Sequence, residues 1–267
     1  MKLNKLHLLI ILFIFTAFTS QASVIILNGL THIHNTQKGG VVEGSIIMQN
    51  MSKIDQRVTI YLNDIEQNCG GKTHYLQSDS LPRSLSKWIK FNTTEKVLVP
   101  NEKFSLSYTI TIPEEFEGEQ IDFGSFWGGL MIELAKPINE NSQQGVQLNS
   151  KIRYCIQLIA HLGEVVSPEI EFENLDFEKR DSSLYSIDMQ LKNKGDYMVQ
   201  PIVILELFDV NGNSVKKSEA VFKKVYPSSC KDFQLILKDI PKGDYDGVLV
   251  ADYGGEIYGV NLTINID

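Results

Sequence analysis

Few side chains in this sequence have the types and spacing to do chemistry: the pair His32-x-His34, the cysteines Cys69, Cys155 and Cys230, and Trp127 beside two glycines. Alternation along a strand puts His32 and His34 on one face, the geometry of a two-imidazole chelate. No third ligand lies close in sequence, so the pair reads as ordinary strand histidines. Cys155 and His161 offer a nucleophile and a base, but six residues on one strand hold them too far apart to touch. There is no HExxH, no GxSxG, no paired CxxC and no phosphate-cradling glycine loop. The chain therefore reads as non-enzymatic, with no metal and no cofactor.

The elements that must position these residues are marked by an internal repeat. Val99-Pro100, Phe104-Ser105-Leu106, Ile112-Pro113 and Gly124-Ser125-Phe126-Trp127-Gly128-Gly129-Leu130 return in order as Tyr226-Pro227, Phe233-Gln234-Leu235, Ile240-Pro241 and Gly243-Asp244-Tyr245-Asp246-Gly247-Val248-Leu249. An alternating strand, a proline-marked turn and a strand entered through glycine make half of an immunoglobulin-like sandwich. The fold class expected is all-β, two tandem immunoglobulin-like β-sandwich domains. Strands are expected over 41–49, 58–62 and 152–158 in the first and over 184–191 and 202–208 in the second. Asn50 and Asn193 close equivalent strands, where a short amide can bond its own backbone. Asn211-Gly212 reads as a type I′ hairpin turn. Tyr245 suits a tyrosine corner.

A basic start, an apolar run over 8–18 and Ala22-Ser23 read as a secretory signal peptide over 1–22, with domains over 23–163 and 164–267. The apolar run is shorter than a membrane-spanning helix needs, so the mature chain is expected to be exported, periplasmic or secreted, with no membrane-spanning segment. Removing Lys2 and Lys5 with the leader leaves 23 of the 25 basic side chains against 33 acidic ones, which argues against nucleic acid as a partner. In an exported chain, Cys69 and Cys155 are the two cysteines that fall in one domain, and their disulfide stands as one expectation beside three unpaired thiols.

The first domain carries about two dozen residues more than the second, most of them between Asp64 and Leu85. A long polar loop on a rigid sandwich is where binding usually resides, which singles out Asn68, His74 and Tyr75. If Phe126, Gly128 and Leu130 face the core, Trp127 turns outward as a flat platform for a sugar ring or partner strand, unless the neighbouring domain or long loop covers it.

The order of Asn50, the 68–75 loop, Ser86-Lys87-Trp88-Ile89, Val97-Leu98-Val99-Pro100-Asn101-Glu102, Ile110-Thr111-Ile112-Pro113, Gly124-x-Phe126 and Asn149-x-x-x-x-Tyr154-x-Ile156-x-Leu158 resembles the first domain of WxL-interacting proteins. Leu191-Lys192-Asn193, Tyr226-Pro227-Ser228-Ser229 and Lys242-Gly243-Asp244-Tyr245 resemble that family's second domain. The resemblance implies peptidoglycan binding by the first domain and partner-protein binding by the second. No membrane helix or basic tail of the kind usual in that family follows here. The resulting expectation is an exported bacterial protein that binds a cell-envelope polysaccharide or a surface or secreted protein. The alternative is a periplasmic pilus or adhesin assembly chaperone acting by β-strand donation; it ranks second because, of the basic pair such chaperones use in the cleft, only Arg153 lies near the hinge, with Lys151 two residues earlier.

Overall fold

Period-two alternation closes into two all-β sandwiches, one following the other along the chain. The structure is a computed structural model describing residues 23–69, 72–116, 121–135, 151–165 and 167–267. The expected leader, 1–22, lies outside the described residues, as does Asn149. The first sandwich contains β1 (Val24–Ile26), β2 (Thr31–Thr36), β3 (Val41–Asn50), β4 (Gln56–Gln67), β5 (Thr73–Gln77), β6 (Ile89–Phe91), β7 (Glu95–Leu98), β8 (Lys103–Thr111), β9 (Gly124–Leu134) and β10 (Arg153–Leu162). The second contains β11 (Ile170–Asp181), β12 (Leu184–Asn193), β13 (Ile202–Phe208), β14 (Ser214–Glu219), β15 (Cys230–Lys238), β16 (Gly243–Tyr253) and β17 (Glu256–Ile266).

In the first sandwich a sheet of order β1-β3-β8-β6 faces one of order β2-β10-β9-β4-β5, with β7 also paired to β4. In the second, β11-β12-β15 faces β14-β13-β16-β17. Ile46, Met48, Leu106, Ile110, Phe126 and Leu130 lie in the first core, and Leu191, Leu205, Phe233, Leu235 and Leu249 in the second. These are the inward positions of the repeated strands, which is why the repeat was visible in sequence.

The two asparagines do the same work in both copies. Asn50 is fully buried; its Oδ1 accepts the Ser52 amide, and its Nδ2 donates to the carbonyls of Ile54 and Leu98, each at 2.9 Å. Asn193, equally buried, accepts from Gly195 and donates to Tyr197 and Val225 at 2.8 and 3.0 Å. Each amide satisfies backbone groups of the turn after its strand and of a chain segment far away in sequence. Tyr245 donates from its hydroxyl to the Pro241 carbonyl at 2.8 Å, the bond a tyrosine corner makes.

Three local expectations are corrected. The loop expected between Asp64 and Leu85 is partly a hairpin, because β4 runs on to Gln67 and β5 returns against it. The remainder is ordered by the buried Asp64 carboxylate, which accepts the amides of Ser80 and Leu81 and the hydroxyls of Ser84 and Ser86. The 209–213 turn is not type I′: Gly212 has φ of 79° while Asn211 is not left-handed, and the register shifts at Leu207/Phe208. That is a type I turn closed by a glycine bulge.

The disulfide is the third. Cys69, past the end of β4, is bonded to Cys230, the first residue of β15 in the other sandwich, across 161 positions, and Cys155 is free. The expected Cys69–Cys155 pair fails because the β4–β5 hairpin carries Cys69 to the second sandwich.

Candidate functional site: the seam between the sandwiches and the open edge of β10

Strand β9 is buried along both faces. Phe126, Leu130 and Ile132 enter the first core, while Trp127 turns the other way into a small cluster with Ile65, Ile159, Met198 and Tyr226. The direction expected for Trp127 is correct, but its exposure is not: only 7% of it is accessible. The second sandwich covers it. Its indole stacks on Tyr226 with centroids 4.5 Å apart and planes at 15°, and its Nε1–H donates to the Ile65 carbonyl at 2.7 Å. Tyr226 in turn donates to Gln157 Oε1 at 3.0 Å, and burial pushes its phenol well above the ordinary value.

Polar groups complete the seam. Arg83, 7% accessible, donates from Nη1 to the Phe123 carbonyl at 2.9 Å and from Nη2 to the Asp196 carboxylate. Desolvation lowers its pKa and Asp196 opposes that shift, so the charge is held by its partner. Gly124 sits at φ of 89°, and a Cβ there would lie 2.4 Å from the Asp196 carbonyl oxygen, so only glycine lets the sandwiches approach so closely. Tyr197 donates to the Leu162 carbonyl at 2.7 Å.

Ser125 Oγ lies 2.7 Å from His161 Nδ1, a contact that resembles a nucleophile and its base. Ser125 is fully buried and its oxygen also accepts the Met198 amide at 2.7 Å, so the pair ties the sandwiches together away from solvent. Burial lowers the His161 pKa. Arg83, Ser125, His161 and Tyr226 had no sequence signal for this role, since their partners lie 36 to 113 positions away.

The other expected site residues are grouped by the β4–β5 hairpin. Asn68 and His74 are exposed and Tyr75 is 48% accessible, close to the Cys155 thiol, which burial pushes up to about 11. Trp127 does not join them at the surface. It lines a cavity of about 210 Å³ with Gln67, Arg83, Pro227 and Ser229, residues drawn from both sandwiches.

Beside the seam runs a half-covered strand. β2 lies parallel to β10 from Thr31 opposite Gln157 to Thr36 opposite Leu162, and the Gln157 amide reaches the Leu30 carbonyl at 2.9 Å. Among the described residues nothing pairs with that edge over 153–156. Since Gln157 points its backbone groups to that side, alternation sends those of Arg153 and Cys155 the same way. Ile152, 42% accessible, and Tyr154 flank the opening. Lys151 and Arg153 are both engaged: Lys151 donates to Glu133 Oε1 at 2.7 Å, and Arg153 to Oε2 at 2.7 Å through Nη2. Together with the Tyr61 hydroxyl they hold the Glu133 carboxyl down at about 2.

No family model matches the chain, and no curated protein does. Among solved structures it is similar to the YadV chaperone at 10% identity, over 91% of this chain and all of that one, with a TM-score of 0.48. It is similar to the class 5 fimbriae chaperone CfaA at 14% identity, over 90% and 98%, with a score of 0.47. The CsuC–CsuE chaperone–adhesion subunit complex of Acinetobacter baumannii matches at 16% identity over 79% and 90%, with a score of 0.43. A likeness of this size says nothing about ligand or partner. No helix among the described residues is long and apolar enough to cross a membrane.

Proposed function

We propose that this chain is an exported, non-enzymatic protein that engages another protein by strand addition at the open edge of β10, as a periplasmic chaperone for pilus or adhesin subunits does. The supporting observation is the half-covered strand itself, with backbone paired from Gln157 onward and, among the described residues, no partner for the backbone of Arg153 and Cys155 on that edge. An extended client segment would add main-chain hydrogen bonds there and set alternate apolar side chains beside Ile152 and Tyr154. Lys151 and Arg153 are occupied by Glu133, so recognition would rest on strand pairing more than on a bare carboxylate anchor. A second reading, binding of peptidoglycan, rests on the resemblance to WxL-interacting proteins and on the exposed His74 and Tyr75 of the hairpin.

The test is an Arg153→Pro variant. Proline removes the outward N–H of Arg153 and leaves the backbone bonds to β9 intact; Arg153→Ala, which gives up only the side-chain bonds to Glu133, is the control. The parent should retain a small β-rich client from envelope extract, and the folded variant should lose it. Equal retention by both would reject strand addition. Sedimentation of the parent with purified peptidoglycan and no client would favour the second reading.

A further inference from the structure

The pair His32-x-His34 lacks a third ligand in sequence, but the fold brings a hydroxyl against both rings. Both rings turn from β2 toward Tyr108 of β8, in the facing sheet. His32 Nδ1 lies 3.0 Å and His34 Nε2 2.9 Å from the same phenol oxygen. Tyr108 is 2% accessible, and its ring lies over Gly44 of β3, where a Cβ would come within 2.3 Å of it. Glycine at that place lets the phenol reach between the two imidazoles.

We infer that His32, His34 and Tyr108 form a binding site for one divalent transition-metal ion. Metal bonds of about 2.0 Å in tetrahedral array set ligand atoms roughly 3.3 Å apart, close to the two nitrogen–oxygen separations of 3.0 and 2.9 Å. Two imidazoles and a phenol suit zinc, copper or nickel and not calcium or magnesium. Among the described residues no group of three His, Cys, Asp and Glu could hold a metal, so a site here requires the phenol as its third donor. Binding replaces the phenol O–H bond by an O–metal bond and releases that proton to solvent. The bound ion would link β2 to β8 across the two sheets and fasten β2 over the lower half of β10.

The experiment uses tag-free protein from Ser23 onward, with zinc alone and copper alone as probes. Calorimetry in buffers of different ionisation enthalpy should give one equivalent bound and one proton released. The His32→Ala, His34→Ala double variant should lose that equivalent. Tyr108→Phe should weaken it roughly tenfold or more and abolish the proton release. Electron paramagnetic resonance of the copper-loaded parent should show coupling to two nitrogens, a readout independent of how the variants fold. An unchanged equivalent in the double variant, proton release retained in Tyr108→Phe, no binding by the parent, or a copper spectrum without nitrogen coupling would each overturn the site.

Discussion

Trp127 separates two accounts of this protein, a surface that meets ligand and a seam that holds two sandwiches together. Trp127→Ala would remove an indole that stacks on Tyr226 at 4.5 Å and would leave the Ile65 carbonyl buried without its donor. Truncating a buried tryptophan to alanine costs about 3–5 kcal/mol, which already contains a stacking contribution of about 1 kcal/mol and a hydrogen bond of similar size. Trp127→Phe keeps a ring against Tyr226 but orphans the carbonyl, for a cost of about 1–3 kcal/mol. Because the partner ring belongs to the other sandwich, a cycle of Trp127→Ala with Tyr226→Ala should show a coupling of about 0.5–1.5 kcal/mol. The assay is urea unfolding followed by far-ultraviolet circular dichroism, with limited proteolysis of the 163–169 connection as a readout of the seam. Full resistance to proteolysis with a loss below about 1 kcal/mol would refute the keystone role and return Trp127 to the surface.

Asn193→Ala should cost about 2–4 kcal/mol, since the Tyr197 and Val225 carbonyls both lose a buried donor; an equilibrium unfolding curve within about 0.5 kcal/mol of the parent would contradict the network. Thiol titration of denatured, unreduced protein should find one free thiol, Cys155, and reduction should expose two more. Across 161 positions the closed loop contributes about 5 kcal/mol in the chain-entropy picture, so reduction should move the urea midpoint clearly downward. Acid should weaken the fold through His161 and His34, whose pKa values burial lowers from 6.5, with His32 adding to the shift of His34. Between the folded and unfolded values the unfolded chain binds more protons, so stability rises with pH there and is lost as pH falls below 6.5. The contribution of Glu133, with a folded value of about 2, survives that window and is lost only as pH falls from 4.5 toward 2. Equal urea midpoints at about pH 5 and about pH 8 would contradict the burial of both rings.

The parts of the fold that were legible in sequence are those where one strand or turn contains its own cause. The expected strand over 202–208 is β13, Ile202–Phe208, because period-two alternation with one face in the core leaves no other register. Asn50 and Asn193 were found as equivalents because each closes a turn within four residues of itself. Trp127 was oriented correctly away from the first core for the same reason. Gly212 marked a turn but not its type, which depends on the φ of its neighbour and on a register shift.

Contacts between distant segments were decided by the tertiary structure alone. Whether Trp127 meets water or Tyr226, whether Cys69 reaches Cys155 or Cys230, and whether His32 and His34 face a third donor all turn on how two sheets or two sandwiches pack. Arg83 and Asp196 lie 113 positions apart and carry no local pattern that would announce their pairing. Sequence alternation fixes which face of a strand a residue occupies. What lies opposite that face is set by packing between elements, whose free energy is spread over many weak contacts, and no spacing along the chain encodes it.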